Sequence, residues 1–167
     1  MQTLEIFFDY ICPFCLRAHE QLLELLPKAL QTQILWRPFE IHPWPERFGR
    51  HSDLCIQGMF FAQEHGADLL LYHERIYKAI HHDYANIEDI DVLTSLVDDF
   101  LDTKSFRQAL LEKTYLNVQL AANNYAFKQN KVRIVPSFRL DGCKLDSVEG
   151  IGVSKQQLAS FIGALKV

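Results

Sequence analysis

The run Leu4-Glu5-Ile6-Phe7-Phe8-Asp9-Tyr10, together with the cysteine segment directly after it, restricts this chain more than any other stretch. It is short, aromatic and β-branched in character, which predicts a buried strand. After Ile11 comes Cys12-Pro13-Phe14-Cys15, and then Leu16, His19, Leu22, Leu23, Leu26 and Leu30 at helical spacing. Pro13 suits a first helical turn, where its missing N–H would be unpaired anyway. Gln33 to Phe39 predicts a second strand, closed by Pro38 and the Pro43-Trp44-Pro45 loop. A strand–helix–strand crossover between parallel strands is right-handed and brings both strands' C-terminal ends to one sheet edge. The two cysteines belong at that edge.

The middle of the chain shows no convincing strand. Spacings such as Leu93, Leu96, Val97, Phe100 and Leu110, Leu111, Tyr115, Val118 predict helices over 53–65, 68–82, 89–102 and 104–129. Gly66 and Asn86-Ile87-Glu88-Asp89 supply stop and start signals. Val132 to Leu140 reads as extended, broken by Pro136. Asp141-Gly142 is a tight-turn dipeptide, and Lys144 to Val148 can pair back antiparallel. Gly150 to Val153 reads as a loop. Ser154 is placed to cap a last helix with Leu158, Phe161, Ile162 and Leu165 on its apolar face. The order is β-α-β, a helical block, then β-β-α. It predicts an α/β chain: a thioredoxin-like domain from residues 1–50 and 131–167, interrupted by a helical insertion over 51–130. A length of 167 residues suits that plan.

Composition excludes several classes. With 17 Lys plus Arg against 21 Asp plus Glu and a net charge of −4, there is no basic footprint for nucleic acid. The longest uncharged stretch, Thr114 to Phe127, holds Asn117, Gln119, Asn123 and Asn124 and is too short to span a membrane. Residues 1–5 lack a basic segment leading into an apolar one, so a cytoplasmic location is expected, though a secreted form with its signal trimmed would read the same. Four cysteines are too few for a disulfide-stapled scaffold. Zinc is not expected either: Cys12 and Cys15 supply half of a closed site, and His73, His81, His82 and Asp83 are distant on an amphipathic helix.

What the cysteine spacing does suggest is redox chemistry. A Cys at the mouth of a helix meets unpaired N–H groups and the positive end of the helix dipole, both favouring thiolate. Cys12 holds that position, and Cys15 lies one turn deeper, within disulfide reach. Cys12 is therefore expected as nucleophile and Cys15 as the resolving thiol. Phe14 brings no charge or donor, so acidification of Cys12 is expected mainly from the helix end.

The segment Phe7-Phe8-Asp9-Tyr10-Ile11-Cys12-Pro13-Phe14-Cys15 resembles the opening of the DsbA-like thiol–disulfide oxidoreductases, in particular their FrnE and 2-hydroxychromene-2-carboxylate isomerase-like branch. Val135-Pro136-Ser137-Phe138 followed by Asp141-Gly142 resembles that family's cis-proline segment, and the helical block matches its insertion in place and size. The resemblance implies catalytic Cys12 and Cys15, a cis Pro136, and a Val135 backbone offered to an extended substrate. Pro13 and Phe14 join Val135 and Pro136 as expected substrate-binding residues. It implies no resident cofactor beyond the redox-active disulfide, with glutathione as a further co-substrate and a peptide or small thiol or disulfide as partner. Isomerase and kappa-class glutathione transferase relatives carry Ser where this chain has Cys12, which points away from isomerase chemistry.

Other residues carry weaker expectations. Parallel strands would bring Glu40 and His42 out near Cys12, where either is a candidate proton relay. His19 lies two turns past Cys12 and reads as structural. Phe60, Phe61, Tyr72 and Tyr77 are candidates to roof a groove, with core packing the commoner reading. Cys55 reads as a buried small hydrophobe and Cys143 as a hairpin residue. Two alternatives stay open: a glutathione-dependent transferase or isomerase of a small aromatic, and a binding module or holdase with a vestigial cysteine pair. Oligomeric state is not readable.

Overall fold

The structure, a computed structural model, describes residues 2–26 and 33–163. In chain order the elements are β1 (Thr3–Phe8), α1 (Pro13–Leu25), β2 (Gln33–Pro38), α2 (Asp53–Glu64), α3 (Leu69–His81), α4 (Ile90–Ser95), α5 (Thr103–Leu111), α6 (Leu116–Asn124), a π-helical stretch (Tyr125–Gln129), β3 (Ser137–Leu140), β4 (Cys143–Asp146) and α7 (Lys155–Ile162). They divide into two compact units, one made by the chain up to Phe39 and from Asn124 onward, the other by Glu40–Asn123. The predicted helical positions Leu30 and Leu165 lie outside the described residues.

The first unit is built on a four-stranded sheet of order β2-β1-β3-β4. β1 runs parallel to β2 and antiparallel to β3, with Ile6 opposite Trp36 on one side and Phe138 on the other. Strand alternation sends Leu4, Ile6, Phe138 and Leu140 to one face, where Ala18 and Leu22 of α1 and Leu158 and Ile162 of α7 cover them. Each such large apolar side chain contributes roughly 1.5–3 kcal/mol on burial, so this layer anchors the start of α1 beside the sheet. The other face is partly charged. Glu5 accepts from Arg37 Nε at 2.6 Å and from the Tyr125 hydroxyl at 2.8 Å, while the Arg37 guanidinium lies 4.7 Å from the Tyr125 ring centre.

β3 begins only at Ser137, later than the extended run 132–140 suggests. Pro136 has no N–H to donate to a ladder, so regular pairing starts after it. Asp141 and Gly142, at φ 47° and 82°, turn the chain into β4, the positive-φ pair that a two-residue hairpin favours. β4 stops at Asp146, because Ser147 bonds elsewhere and Val148 turns back to pair with Gly152. Ser154 and Gln157 form a reciprocal cap at the start of α7.

The second unit is helical, with Met59, Phe61, Tyr72, Ile76, Leu93 and Phe106 in its interior. Gly58 is required there by close approach: a Cβ would stand 2.3 Å from the Tyr72 hydroxyl. Two predicted helices are corrected. The helix expected over 89–102 ends at Ser95, where the hydroxyls of Thr94 and Ser95 donate to the carbonyls of Ile90 and Val92. The next N–H groups, of Leu96 and Val97, then reach only three residues back. The helix expected over 104–129 breaks after Leu111, with Lys113 at φ 54° and the Thr114 N–H reaching back to Ala109.

Candidate active site

Cys12 is the N-cap of α1, with extended backbone (φ −82°, ψ 116°) and a side chain that caps nothing. Pro13 follows at the first helical position, and no acidic residue occupies the first turn, so the helix does not neutralise its own positive end. The Cys12 carbonyl accepts from the N–H groups of Cys15 and Leu16 at 3.0 and 3.2 Å. Its sulfur donates to the Val135 carbonyl at 3.6 Å, across 123 residues of sequence. Cys12 and Cys15 are both buried and, with Cys55 and Cys143, are free thiols.

The two thiols differ in acidity. Cys12 is drawn below the usual thiol range, first by a hydrogen bond from the Cys15 side chain and then by the N–H groups of Cys15 and Phe14, against the opposing effects of burial and the Asp9 charge. The leading contribution is thus the neighbouring thiol, with the helix end second, a correction to the expectation from sequence. Cys15 is pushed well above that range, chiefly by burial and then by its hydrogen bond to Cys12. The arrangement can present one sulfur as a nucleophile while holding the other protonated one turn behind.

Three separate segments meet around the pair. The Val135–Pro136 peptide bond is cis, and the Pro136 carbonyl accepts from Ser147 Oγ at 2.6 Å. Phe14 is half-buried, with the Arg17 guanidinium 5.2 Å from its ring centre, while Pro13 is exposed. Arg17 donates to the carbonyls of Ile151 and Val153, and Gly152 packs against Phe14. The turn from Ser147 to Val153 therefore braces both neighbours of Cys12. From sequence this turn reads as a plain loop; its signal is Gly150 and Gly152, both at positive φ.

Asp9 is a second residue that sequence reasoning misses. It lies one residue past β1, fully buried, with its carbonyl accepting the Cys12 N–H at 3.3 Å. Its signal is an acid placed right after the apolar Ile6-Phe7-Phe8 run, three residues before Cys12.

Glu40 and His42 belong to the second unit. The Glu40 carboxylate is buried and accepts from the amides of Gln119 and Asn123, while His42 Nδ1 pairs with Glu46 at 2.8 Å. His19 is buried with its ring 5.6 Å from that of Trp36, and burial lowers its pKa to about 4. Phe61, Tyr72 and Tyr77 are interior residues of the second unit, and the Tyr72 hydroxyl donates to the Cys55 carbonyl. They pack its core, the commoner of the two readings for aromatics at helical spacing.

Residues 3–162 match the family model of the DSBA-like thioredoxin domain. The chain belongs to this family. Among its relatives, YwbO of Bacillus subtilis (strain 168) is 26% identical over 93% of this chain and 95% of that protein. The fold is also that of a probable DsbA oxidoreductase, SCO1869 from Streptomyces coelicolor, with a TM-score of 0.78 at 17% identity, covering 100% of this chain and 92% of that one. The cytosolic disulfide reductase DsbM from Pseudomonas aeruginosa, solved with GSH, superposes with a TM-score of 0.71 at 16% identity, over 96% and 97% of the two chains. Within the DSBA-like thioredoxin fold, this chain carries its cysteine pair where β1 gives way to α1. No helix among the described residues is long and apolar enough to cross a membrane.

Proposed function

We propose that this chain is a thiol–disulfide oxidoreductase that works through the Cys12-Pro13-Phe14-Cys15 segment. The observation that carries the reading is the asymmetry of the pair: an acidified Cys12 at a helix start and a buried, weakly acidic Cys15 behind it. As thiolate, Cys12 attacks one sulfur of a substrate disulfide, and the other sulfur leaves as a thiolate that takes up a proton. Cys15 then loses its proton and attacks Cys12 Sγ in the mixed disulfide. The Cys12–Cys15 bond forms and the second substrate thiol departs. The substrate has gained two electrons and the protein has lost two; run backward, the same steps oxidise a dithiol.

Pro13, Phe14 and the Val135–Pro136 backbone are proposed to hold an extended substrate beside Cys12, in the manner of strand addition. Two molecules of glutathione would return the oxidised pair to dithiol and leave as glutathione disulfide. Support for that co-substrate, and for a cytoplasmic setting, comes from the shared fold with DsbM, described as a cytosolic disulfide reductase and solved with GSH.

The test is oxidation with diamide and then mass mapping. The expected product is an intramolecular Cys12–Cys15 link, reversed by dithiothreitol without unfolding, and Cys12→Ser should abolish turnover of a disulfide substrate. Cys12 linked only to Cys55 or Cys143 would overturn the assignment.

A further inference from the structure

Between Glu112 and Asp141 the sequence holds five cations, Lys113, Lys128, Lys131, Arg133 and Arg139, and no acid, in a chain whose net charge is −4. Lys128, Lys131 and Arg133 are exposed and lie on the segment that leads into the cis Val135–Pro136 peptide. Arg139 is paired with Asp146 at 2.6 Å, whereas these three have no carboxylate partner among the described residues. Backbone and an aromatic ring hold them instead. Lys131, at φ 56°, donates from Nζ to the Lys128 carbonyl at 2.7 Å, and the Val132 N–H reaches back to the Ala126 carbonyl at 3.0 Å. Arg133 donates from Nη1 to the Phe127 and Val132 carbonyls at 2.8 and 3.1 Å, with its guanidinium carbon 3.9 Å from the Phe127 ring centre. That ring is itself stacked on Phe39. Capping the end of the π-helical stretch takes only Nη1. Nε and Nη2 have no partner among the described residues, and together they form an edge that grips a carboxylate with two parallel bonds.

We propose that Arg133, ordered by Phe127 and flanked by Lys131, is a carboxylate fork that selects peptidic disulfides carrying a carboxylate beside the reacting cysteine. This deepens the redox reading above and rests on it. Two residues of chain span at most about 7 Å, so Arg133 begins within that distance of the Val135 backbone proposed to pair with substrate. A strand added along Val135 carries the residues that flank its cysteine into the field of Arg133 and Lys131. The guanidinium is already held by a ring and two carbonyls, so a carboxylate gains charge-assisted bonds without freezing a mobile side chain. A Lys or Arg beside the substrate cysteine meets like charge instead.

The experiment uses pre-reduced protein in single turnover against the symmetrical disulfides of two capped peptides, one with Asp and one with Asn on both sides of a single Cys. Each rate is divided by that of dithiothreitol with the same peptide, which removes the intrinsic effect of the Asp charge on the disulfide. Wild type should favour the Asp peptide about fivefold, the upper end for an exposed ion pair, and the preference should fade as salt is raised. Arg133→Gln should abolish the preference, and Arg133→Lys, a charge without the fork, should fall between. Glutathione disulfide, run on wild type and Arg133→Gln, separates two sources of carboxylate: loss with the Asp peptide alone assigns an acidic side chain, and loss with both adds the termini of glutathione. No preference in wild type, a preference kept in Arg133→Gln, or one kept in full by Arg133→Lys would overturn the proposal. A binding readout stands apart from turnover and from the folding of the variants. With the Cys of each peptide replaced by Ser, the Asp version should move the Arg133 Nε–H resonance of wild type and the Asn version should not; a resonance unmoved by either overturns the fork. Wild type that reduces neither disulfide is a different result, and overturns the oxidoreductase reading.

Discussion

Cys12 owes its acidity first to the hydrogen-bond donor one turn behind it, and this makes the two thiols interdependent. Cys15→Ser keeps a donor at that position, whereas Cys15→Ala removes it. Cys12 should therefore ionise at higher pH in Cys15→Ala than in Cys15→Ser, and the reverse order in 240 nm titrations would contradict this account. In Cys12→Ser, the remaining Cys15 should ionise only well above an ordinary thiol, because burial leads the forces that hold it protonated. The identity of both residues was legible in sequence, since a cysteine pair beside Pro13 at a strand–helix junction is a local pattern. The source of the acidity was not. It depends on the side-chain rotamer of Cys15 and on how deeply each sulfur is covered, neither of which spacing encodes.

Among the elements, α1 and the turn after β4 together frame the site. Gly152 lies at φ +78° with the Arg17 guanidinium and the Phe14 ring directly over it: an added Cβ would stand 2.8 Å from Arg17 Nη2 and 3.0 Å from Phe14. Gly152→Ala should cost about 1–2 kcal/mol for the left-handed backbone alone, plus the displacement of Arg17 and Phe14. Gly66 separates the two contributions, because it sits at φ +67° with nothing within 4 Å of an added Cβ. Gly66→Ala should lower the melting temperature less than Gly152→Ala, and only Gly152→Ala should slow disulfide exchange. Equal effects on exchange would show that the turn does not support the site. The fate of the helices makes a related point. Ser154 caps α7 as its sequence suggests, because a cap is settled within one turn of chain. The breaks at Ser95 and Leu111 carry no Gly or Pro; they arise from hydroxyl back-bonding and a left-handed Lys113, which apolar spacing does not report.

Across the whole molecule, His19 ties stability to pH. Its pKa is about 4 in the folded chain, below the ordinary 6.5, because the ring is buried. The unfolded chain takes up the proton first as pH falls, so this contribution to stability is complete above 6.5 and is lost progressively between 6.5 and 4. The full loss is about 3 kcal/mol at 1.36 kcal/mol per unit. His19→Leu should flatten that part of the curve in denaturant unfolding measured against pH. Parallel curves for the two proteins would place the acid sensitivity elsewhere. What the sequence determined alone was the element order, the parallel β1–β2 pair, the hairpin at Asp141-Gly142 and the cysteine pair at the mouth of α1. The element order, the hairpin and the cysteine pair depend on residues within a few turns of one another, where apolar period, caps and turn dipeptides act, and the parallel pair follows from the crossover between them. Only the tertiary structure decided that the Val135 carbonyl faces Cys12, that Ser147 holds Pro136, that Gly152 seats Phe14 and that Asp9 is sealed beside the thiols. The energies of those contacts depend on burial and on partners more than a hundred residues away in some cases, and proton affinity in particular is set by what surrounds a group rather than by what adjoins it in the chain.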